Sequence, residues 1–150
     1  MAFVEDKQFK YPAEDECLVR RLGSGVIAAW SSLPEEARQR ILDEAKAREF
    51  YIDYLGFKIE FEHRFNDNAP LFMGISRGDV YLFLSEHHGD GIPGTYVRID
   101  VQGVEELQAE LKQKKYKYMN PGLQDQEWGR RELVVYDAFG NRLIFSEELS

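Results

Sequence analysis

Cysteine is nearly absent from this 150-residue sequence: Cys17 is the only one, which excludes an internal disulfide and favours a reducing compartment. No run of about 18 apolar residues is present, so no membrane span is expected. The first residues also lack a basic region followed by an apolar one, so no secretory signal is expected. We therefore expect a cytoplasmic protein.

Basic residues are outnumbered, since 19 Lys and Arg face 27 Asp and Glu, and the net charge is −8. A nucleic-acid surface needs Lys and Arg against phosphate, so nucleic acid is not an expected partner. The acidic balance favours, more weakly, a cationic ligand. With 43% hydrophobic residues the chain has enough apolar sequence for one core.

Helical spacing dominates the first third of the sequence. Apolar residues over Ala13–Trp30 predict a helix, with a strand over Gly25–Trp30 as the alternative. Ser32 precedes Pro34 and lies three residues before Glu35, an arrangement typical of a helix start with Ser at the N-cap. That helix is predicted to run to Leu55-Gly56, where the glycine would end it.

After Gly56 the apolar period changes from 3.6 to 2, which predicts strands. An amphipathic helix is predicted over Val104–Lys114, and the segment 120–129, with Trp128, is predicted to be a loop. The predicted strands are Phe57–Phe65, Leu71–Ser76, Val80–Ser85, Tyr96–Val101, Tyr116–Met119, Arg131–Tyr136 and Arg142–Ser146.

The two halves of this pattern repeat. Leu82-Phe83-Leu84-Ser85-Glu86 is similar to Leu143-Ile144-Phe145-Ser146-Glu147, and Ser146 follows Ser85 by 61 residues. At that offset the strand Tyr96–Val101 should have a partner at residues 35–40, which instead have the pattern of a helix start. The first half is therefore predicted to lack its opening strand. A short strand near Arg38–Leu42, or one from the arm around Phe3-Val4, is the alternative.

A βαβββ unit repeated twice resembles the vicinal-oxygen-chelate superfamily of glyoxalase I, extradiol dioxygenases and bleomycin-resistance proteins, and most of all the bleomycin-resistance branch. The resemblance covers roughly residues 41–148. It rests on Asp43–Tyr51, Leu55-Gly56-Phe57, Glu62-His63-Arg64-Phe65, Leu84-Ser85-Glu86-His87-His88-Gly89-Asp90, Trp128-Gly129-Arg130-Arg131-Glu132 and Asp137–Leu143.

The resemblance implies an α+β fold of paired βαβββ modules. We expect a helical N-terminal extension over residues 1–34 and a glyoxalase/bleomycin-resistance-like domain over residues 35–150, with modules at about 35–90 and 95–148. It further implies a homodimer, with pockets between modules or subunits.

Metal-dependent members of the superfamily carry His, Gln or Glu ligands on four strands around a shared cavity. The resemblance places these positions at Phe83, Tyr96, Ile144 and near Glu35. Phe and Ile cannot ligate a metal, and Tyr does so rarely. His87 and His88 are adjacent and are predicted to lie in a hydrogen-bonded or solvated turn, because neighbours on an extended chain point to opposite faces. Neither a metal nor another cofactor is therefore expected.

Strand alternation predicts which side chains face the cavity. Val97, Ile99, Val101, Leu82, Leu84, Leu143 and Phe145 should pack on helices. On the opposite, cavity-side face we expect Tyr81, Phe83, Ser85, Tyr96, Arg98, Asp100, Arg142, Ile144 and Ser146. Trp128 and Phe65 would cover a planar or cationic ligand.

The predicted ligand-binding residues are Tyr81, Phe83, Ser85, Tyr96, Arg98, Trp128, Arg142 and Ile144, with no catalytic residue assigned. The first functional hypothesis is a metal-free protein that sequesters a small antibiotic-like molecule. The alternatives are an enzyme related to glyoxalases or dioxygenases, and a scaffold or interaction protein that uses residues 1–34. Function depends on the site, so the fold does not choose among them.

Overall fold

A computed structural model of the protein describes residues 29–92, 94–114, 116 and 119–149. The chain divides into two compact units, Met1–Arg48 and Glu49–Ser150. The arm around Phe3-Val4 lies outside the described residues. The predicted helix over Ala13–Trp30 and its strand alternative also lie outside them, except for residues 29 and 30. Within the described parts of the chain, no helix is both long and apolar enough to cross a membrane.

In the first unit a short 3-10 helix, Trp30–Ser32, precedes the helix α1, Glu35–Ala47. The predicted N-cap at Ser32 is wrong, because its hydroxyl donates instead to the carbonyl oxygen of Ala29 at 2.7 Å. The helix cannot begin at Ser32 because the backbone of Leu33 is extended, with φ −72° and ψ 141°. A residue before proline avoids the helical region, so the helix begins only after Pro34.

A π-helical segment, Arg48–Tyr54, leads into the second unit. Helical structure was predicted here, but the wider π winding was not. The segment buries Phe50, Tyr51 and Tyr54. Gly56 follows two residues after its end, and its φ of +74° is the left-handed conformation that glycine adopts without strain.

The described residues of the second unit form two sheets and one α-helix. Strands β1 (Lys58–His63), β2 (Phe72–Arg77) and β3 (Val80–Ser85) form an antiparallel sheet in that order. The second sheet has the order β4-β7-β6-β5. Its strands are β4 (Tyr96–Asp100), β5 (Leu123–Gln126), β6 (Arg130–Tyr136) and β7 (Arg142–Glu148), with helix α2 (Val104–Gln113) between β4 and β5.

The two sheets differ at the position where the repeat would place an opening strand. In the second half β4 pairs in parallel with β7, whereas β3, the counterpart of β7, has β2 as its one partner among the described strands. Residues 35–40 belong to α1. The first module therefore lacks the strand that the offset of the repeat would place there, as predicted.

One predicted strand is misplaced. Neither Tyr116 nor Met119 lies in a strand, and β5 instead spans Leu123–Gln126, inside the segment predicted to be a loop. Gln124 and Gln126 pair with Glu132 and Arg130 of β6. The segment Leu123–Gln126 is polar at three of four positions, so its sequence lacks the apolar alternation on which the prediction relied.

The core of the second sheet lies under α2, which packs on β6 and β7. Leu133, Val135, Leu143 and Phe145 are buried on this side, together with Val104 and Leu111 of the helix. Ile99 is buried as predicted, but Val97 is 38% exposed. The prediction for Val97 is wrong, because this residue lies near the start of the edge strand β4, whereas Ile99 lies near its end, where the chain leads into α2.

Tyr51 connects the π-helical segment to the turn between β6 and β7. Its buried hydroxyl donates to Asp137 Oδ2 at 2.9 Å. The Asp137 Oδ1 atom accepts from the backbone N–H groups of Phe139 and Asn141 at 2.9 and 2.8 Å. Burial first, and the neighbouring Asp137 second, raise the pKa of Tyr51 far above its ordinary value of 10.

This raised pKa predicts a loss of stability in alkali. Above about pH 10 the unfolded chain releases the Tyr51 proton while the folded chain retains it, so the free energy of unfolding falls as pH rises. The expected slope is about 1.4 kcal/mol per pH unit for this one group. Urea unfolding at pH 9 and pH 11 should show a smaller alkaline loss for Tyr51→Phe than for the wild type. Equal losses would contradict this role of Tyr51.

Candidate functional site

The exposed side of the first sheet is covered by aromatic rings. Strand pairing puts Gly74 of β2 between Phe61 of β1 and Phe83 of β3. A Cβ atom at Gly74 would lie 2.4 Å from the Phe61 ring and 2.5 Å from the Tyr81 hydroxyl oxygen. The absence of a side chain at Gly74 therefore lets the rings of Phe61 and Tyr81 converge over the middle strand.

Phe61, Phe72, Tyr81 and Phe83 together form what we call the aromatic face. The Phe72 and Phe83 rings stack at 5.2 Å, and the Tyr81 ring meets the Phe83 ring edge-on at 5.3 Å. Phe61 lies 5.8 Å from Phe72. Phe83 is 61% exposed and Tyr81 48%. A contiguous group of exposed rings on a protein surface typically marks a binding site.

A β-bulge gives Phe61 its place on this face. The register shifts between Ile59, which pairs with the buried Ile75, and Phe61, which pairs with Gly74. The extra residue, Glu60, accepts a hydrogen bond from Ser76. Without the bulge Ile59 and Phe61 would share one face of the strand.

A hydrogen-bonded turn closes one end of the aromatic face. Ser85, which pairs with Phe72, donates from Oγ to Asp90 Oδ2 at 2.6 Å. The same Oγ atom lies 3.2 Å from His87 Nδ1 and accepts from the His87 backbone N–H at 3.1 Å. The predicted turn at His87-His88 is therefore observed, with His87 in the hydrogen-bond group and His88 exposed.

The corresponding face of the second sheet is polar. Arg98 of β4 donates to Glu132 of β6 and reaches Ser146 Oγ of β7 at 3.3 Å. Arg130 donates to the same Ser146 Oγ at 2.6 Å and also to Asp100. Glu132 and Ser146 are buried. This network fixes both guanidinium groups against the sheet.

Tyr96 and Arg142 lie at the other end of the polar face. The Arg142 guanidinium carbon is 5.3 Å from the Tyr96 ring centroid, a cation–π distance. Tyr96 is 60% exposed, whereas Ile144, next along β7 on this face, is buried. Trp128 is 63% exposed and lies in the turn between β5 and β6 rather than in one of the strands that carry the other predicted residues.

The positions that the resemblance assigns to metal ligands are Phe83, Tyr96, Ile144 and the region of Glu35. Phe83 belongs to the aromatic face, Ile144 is buried in the second sheet, and Glu35 opens helix α1. The side chains of phenylalanine and isoleucine have no lone pair with which to bind a metal ion. Across the described residues, no group of three or more His, Cys, Asp and Glu side chains is arranged to hold an ion.

Seven of the eight predicted site residues thus fall into two groups, and Trp128 belongs to neither. The structure brings Tyr81, Phe83 and Ser85 together on the first sheet and Tyr96, Arg98, Arg142 and Ile144 together on the second. The sequence analysis missed Phe61, Phe72, Gly74 and Glu132. The register of β2 and β3 follows from the two-residue turn Gly78-Asp79, which sets Phe72 opposite Ser85. The turn predicted at residues 137–141 similarly sets Glu132 opposite Ser146.

A protein-family model described as "Glyoxalase superfamily protein" matches residues 35–150. This chain belongs to the glyoxalase superfamily. No curated protein matches the sequence. The two sheets described above therefore belong to a glyoxalase-superfamily fold.

Solved structures of the same superfamily share the fold. A bleomycin resistance determinant encoded on transposon Tn5 is 21% identical, with a TM-score of 0.53 over 73% of this chain and 90% of its own. A bleomycin-binding protein solved in complex with bleomycin is 22% identical, with a TM-score of 0.52 over 73% and 91%. A superfamily member from Sphaerobacter thermophilus is 22% identical, with a TM-score of 0.53 over 71% and 89%.

Proposed function

We propose that this glyoxalase-superfamily protein binds a small organic molecule on the aromatic face and sequesters it without a metal ion. The observation that carries the proposal is the cluster of exposed rings around Gly74. Rings held in this way give a flat ligand a large apolar contact at little entropic cost, because strand pairing already fixes them. The polar network around Arg98 would supply the few oriented hydrogen bonds that such a site needs.

The residues at the metal-ligand positions support binding rather than metal-assisted catalysis. Phe83 offers an aromatic surface where metal-dependent relatives offer a ligand atom. Ile144 is buried in the second sheet. Phe83 can hold a ligand by packing, and neither side chain can polarise a substrate oxygen or activate water through a metal.

Bleomycin-like molecules, which combine planar rings with positive charge, are the proposed ligand class. Aromatic ring faces attract cations, and the net charge of −8 favours their approach. Two proteins with this fold are described as a bleomycin resistance determinant and a bleomycin-binding protein. The proposed role is sequestration in the cytoplasm by a homodimer, which sedimentation equilibrium would test through the measured mass.

Calorimetric titration of the metal-stripped protein with metal-free bleomycin tests the proposal. We expect saturable binding that is unchanged by a chelator. Absence of binding at high ligand concentration would remove this ligand class. A stoichiometric divalent ion in the purified protein, whose removal abolishes binding, would overturn the metal-free mechanism.

Phe83→Ala is expected to weaken bleomycin binding about tenfold, because it removes the ring at the centre of the aromatic face. Phe139→Ala is the matched control. Phe139 is also an exposed phenylalanine, at 36%, but it lies in the turn between β6 and β7. Calorimetry should show unchanged affinity for the control. Equal affinities of the two variants would place the ligand elsewhere.

A further inference from the structure

We propose that His87 is a specificity-determining hydrogen-bond acceptor at one end of the aromatic face, selecting flat ligands that carry an N–H or O–H group at their edge. This inference rests on the proposed function and names the ligand chemistry that the site prefers. It depends on the contacts of Ser85, His87, Asp90 and Phe65.

The hydrogen bonds of Ser85 determine the tautomer of His87. The single hydroxyl proton of Ser85 goes to the Asp90 carboxylate, because the 2.6 Å contact joins it to an acceptor that has no proton to give. The Ser85 Oγ atom must then accept at its contact with His87 Nδ1, 3.2 Å away. Nδ1 therefore carries the imidazole proton, and Nε2 carries a lone pair.

That lone pair has no partner. His87 Nε2 is buried and makes no hydrogen bond with any described residue. A buried acceptor without a donor is unfavourable, and such atoms in folded proteins need a specific explanation. A ligand that brings a donor to Nε2 would remove this cost, whereas a ligand of the same shape without a donor would not.

The position of His87 connects it to the aromatic face. Ser85, which holds the imidazole, pairs across the sheet with Phe72, and Phe72 pairs with His63 on its other side. Phe65 lies edge-on to both imidazoles, 4.9 Å from the His63 ring and 6.0 Å from the His87 ring. It is 78% exposed. His87 and the exposed Phe65 ring therefore lie at the end of the aromatic face that Phe72 and Ser85 mark, and a ligand that displaces Phe65 is proposed to reach Nε2 there.

The adjacent carboxylate of Glu86 is engaged at one oxygen. Glu86 Oε2 accepts from the Leu71 backbone N–H at 2.7 Å and from Arg64 at 3.4 Å, whereas Oε1 is buried and has no partner among the described residues. Asp90 accepts from Ser85. Glu86 follows Ser85 directly in the chain, and neighbours on an extended chain point to opposite faces, so the preference for a donor at the aromatic face is assigned to the imidazole.

Indole and 1-methylindole test the inference, because they differ by one N–H donor and otherwise share a flat bicyclic shape. In titrations followed by ¹H–¹⁵N NMR, both probes should shift resonances of the aromatic face, and indole should bind about tenfold more tightly. If neither probe binds, the inference fails, and calorimetry with bleomycin decides separately whether the proposed function stands. If both bind equally, the inference alone fails.

Three variants assign the preference to a nitrogen atom. His87→Asn keeps a donor near the Nδ1 position but removes the Nε2 acceptor, so the preference for indole should disappear. His87→Gln places an amide oxygen near the Nε2 position and should restore part of it. His88→Asn, at the exposed neighbouring position, should leave it unchanged. A preference that survives in His87→Asn would overturn the role of His87.

Imidazole ¹⁵N shifts give a readout that needs no ligand. In the neutral imidazole of wild-type His87 the proton should lie on Nδ1 rather than on Nε2, and Ser85→Ala should shift the population toward the other tautomer. Indole should move the Nε2 resonance of His87 and leave that of His88 in place. An Nε2–H tautomer in the wild type would contradict the assignment, whether or not indole binds.

Discussion

Replacing Asp137 with alanine is expected to lower the free energy of unfolding by about 3 kcal/mol and the midpoint of thermal unfolding by roughly 6–12 °C. The Asp137 side chain is buried and accepts from four groups on two parts of the second unit. Oδ2 accepts from Tyr51 and from Asn141 Nδ2, both at 2.9 Å. Oδ1 accepts from the backbone N–H groups of Phe139 and Asn141.

The expected loss is large because the variant leaves donors without partners. The Tyr51 hydroxyl, on a residue that is 5% exposed, would lose its acceptor in a place that water does not reach. Leaving one buried donor unsatisfied costs about 1–3 kcal/mol, and the turn loses the acceptor that orders its backbone as well. The π-helical segment and the β6–β7 turn would then lose their direct polar connection.

Tyr51→Phe is the control, since it removes the phenolic hydroxyl but leaves Asp137 with the turn donors. We expect a loss of about 1 kcal/mol. The variant that combines Asp137→Ala with Tyr51→Phe should be about 1–2 kcal/mol more stable than the sum of the two single losses predicts. The reason is that it no longer contains a buried Tyr51 hydroxyl without an acceptor. Urea unfolding measures all three values. Additive losses would show that Tyr51 and Asp137 act independently.

Most of the fold that could be predicted from the sequence was predicted from the alternation of side chains along the strands. Val80–Ser85 was predicted with the bounds that the structure shows, and its alternation places Tyr81 and Phe83 on one side. The 61-residue repeat predicted that the first module lacks its opening strand, and residues 35–40 are helical. These features depend on local pattern, which the sequence displays directly.

The aromatic face depends on features that alternation alone does not reveal. Phe61 reaches the face because of a bulge after Ile59, and Gly74 matters because two rings converge where it has no side chain. A bulge changes the face of every residue beyond it, and its position is fixed by tertiary pairing. Phe72, by contrast, could have been assigned from the two-residue turn that sets its register with Ser85.

Predicting the polar network of Arg98 and Glu132 required the order of the strands in the second sheet, which a local sequence pattern does not give. Glu132 is separated from Arg98 by helix α2 and strand β5, and they meet because β7 lies between their strands. A charged residue in a strand is normally expected to face solvent. Nothing local distinguishes Glu132 from the exposed Glu148, and only the order β4-β7-β6 shows that one of them is buried.

Glu132→Ala is expected to lower the free energy of unfolding by about 2 kcal/mol. Glu132 is 4% exposed and accepts from Arg98 and, at 3.4 Å, from the buried hydroxyl of Ser146. Breaking a fully buried ion pair costs about 3–5 kcal/mol, because the remaining charge is left without compensation. The smaller value is expected here because the Arg98 side chain is 40% exposed, so water can solvate part of it.

Asp100→Ala is the matched control for burial. Asp100 also pairs with an arginine of the same sheet, Arg130, but its side chain is 79% exposed. Its loss should cost less than about 0.5 kcal/mol, because exposed ion pairs contribute little. Chemical denaturation of both variants gives the comparison. Equal losses would mean that burial does not determine the contribution of Glu132.

The same pair of variants separates stability from ligand binding. Arg98 is held against the polar face by Glu132 and Ser146, so Glu132→Ala frees its guanidinium while leaving the aromatic face intact. If the ligand contacts Arg98, bleomycin affinity measured well below the unfolding temperature should fall about tenfold in Glu132→Ala and stay unchanged in Asp100→Ala. If affinity is unchanged in both, the ligand is held by the aromatic face alone, and the network around Glu132 serves only to stabilise the second sheet.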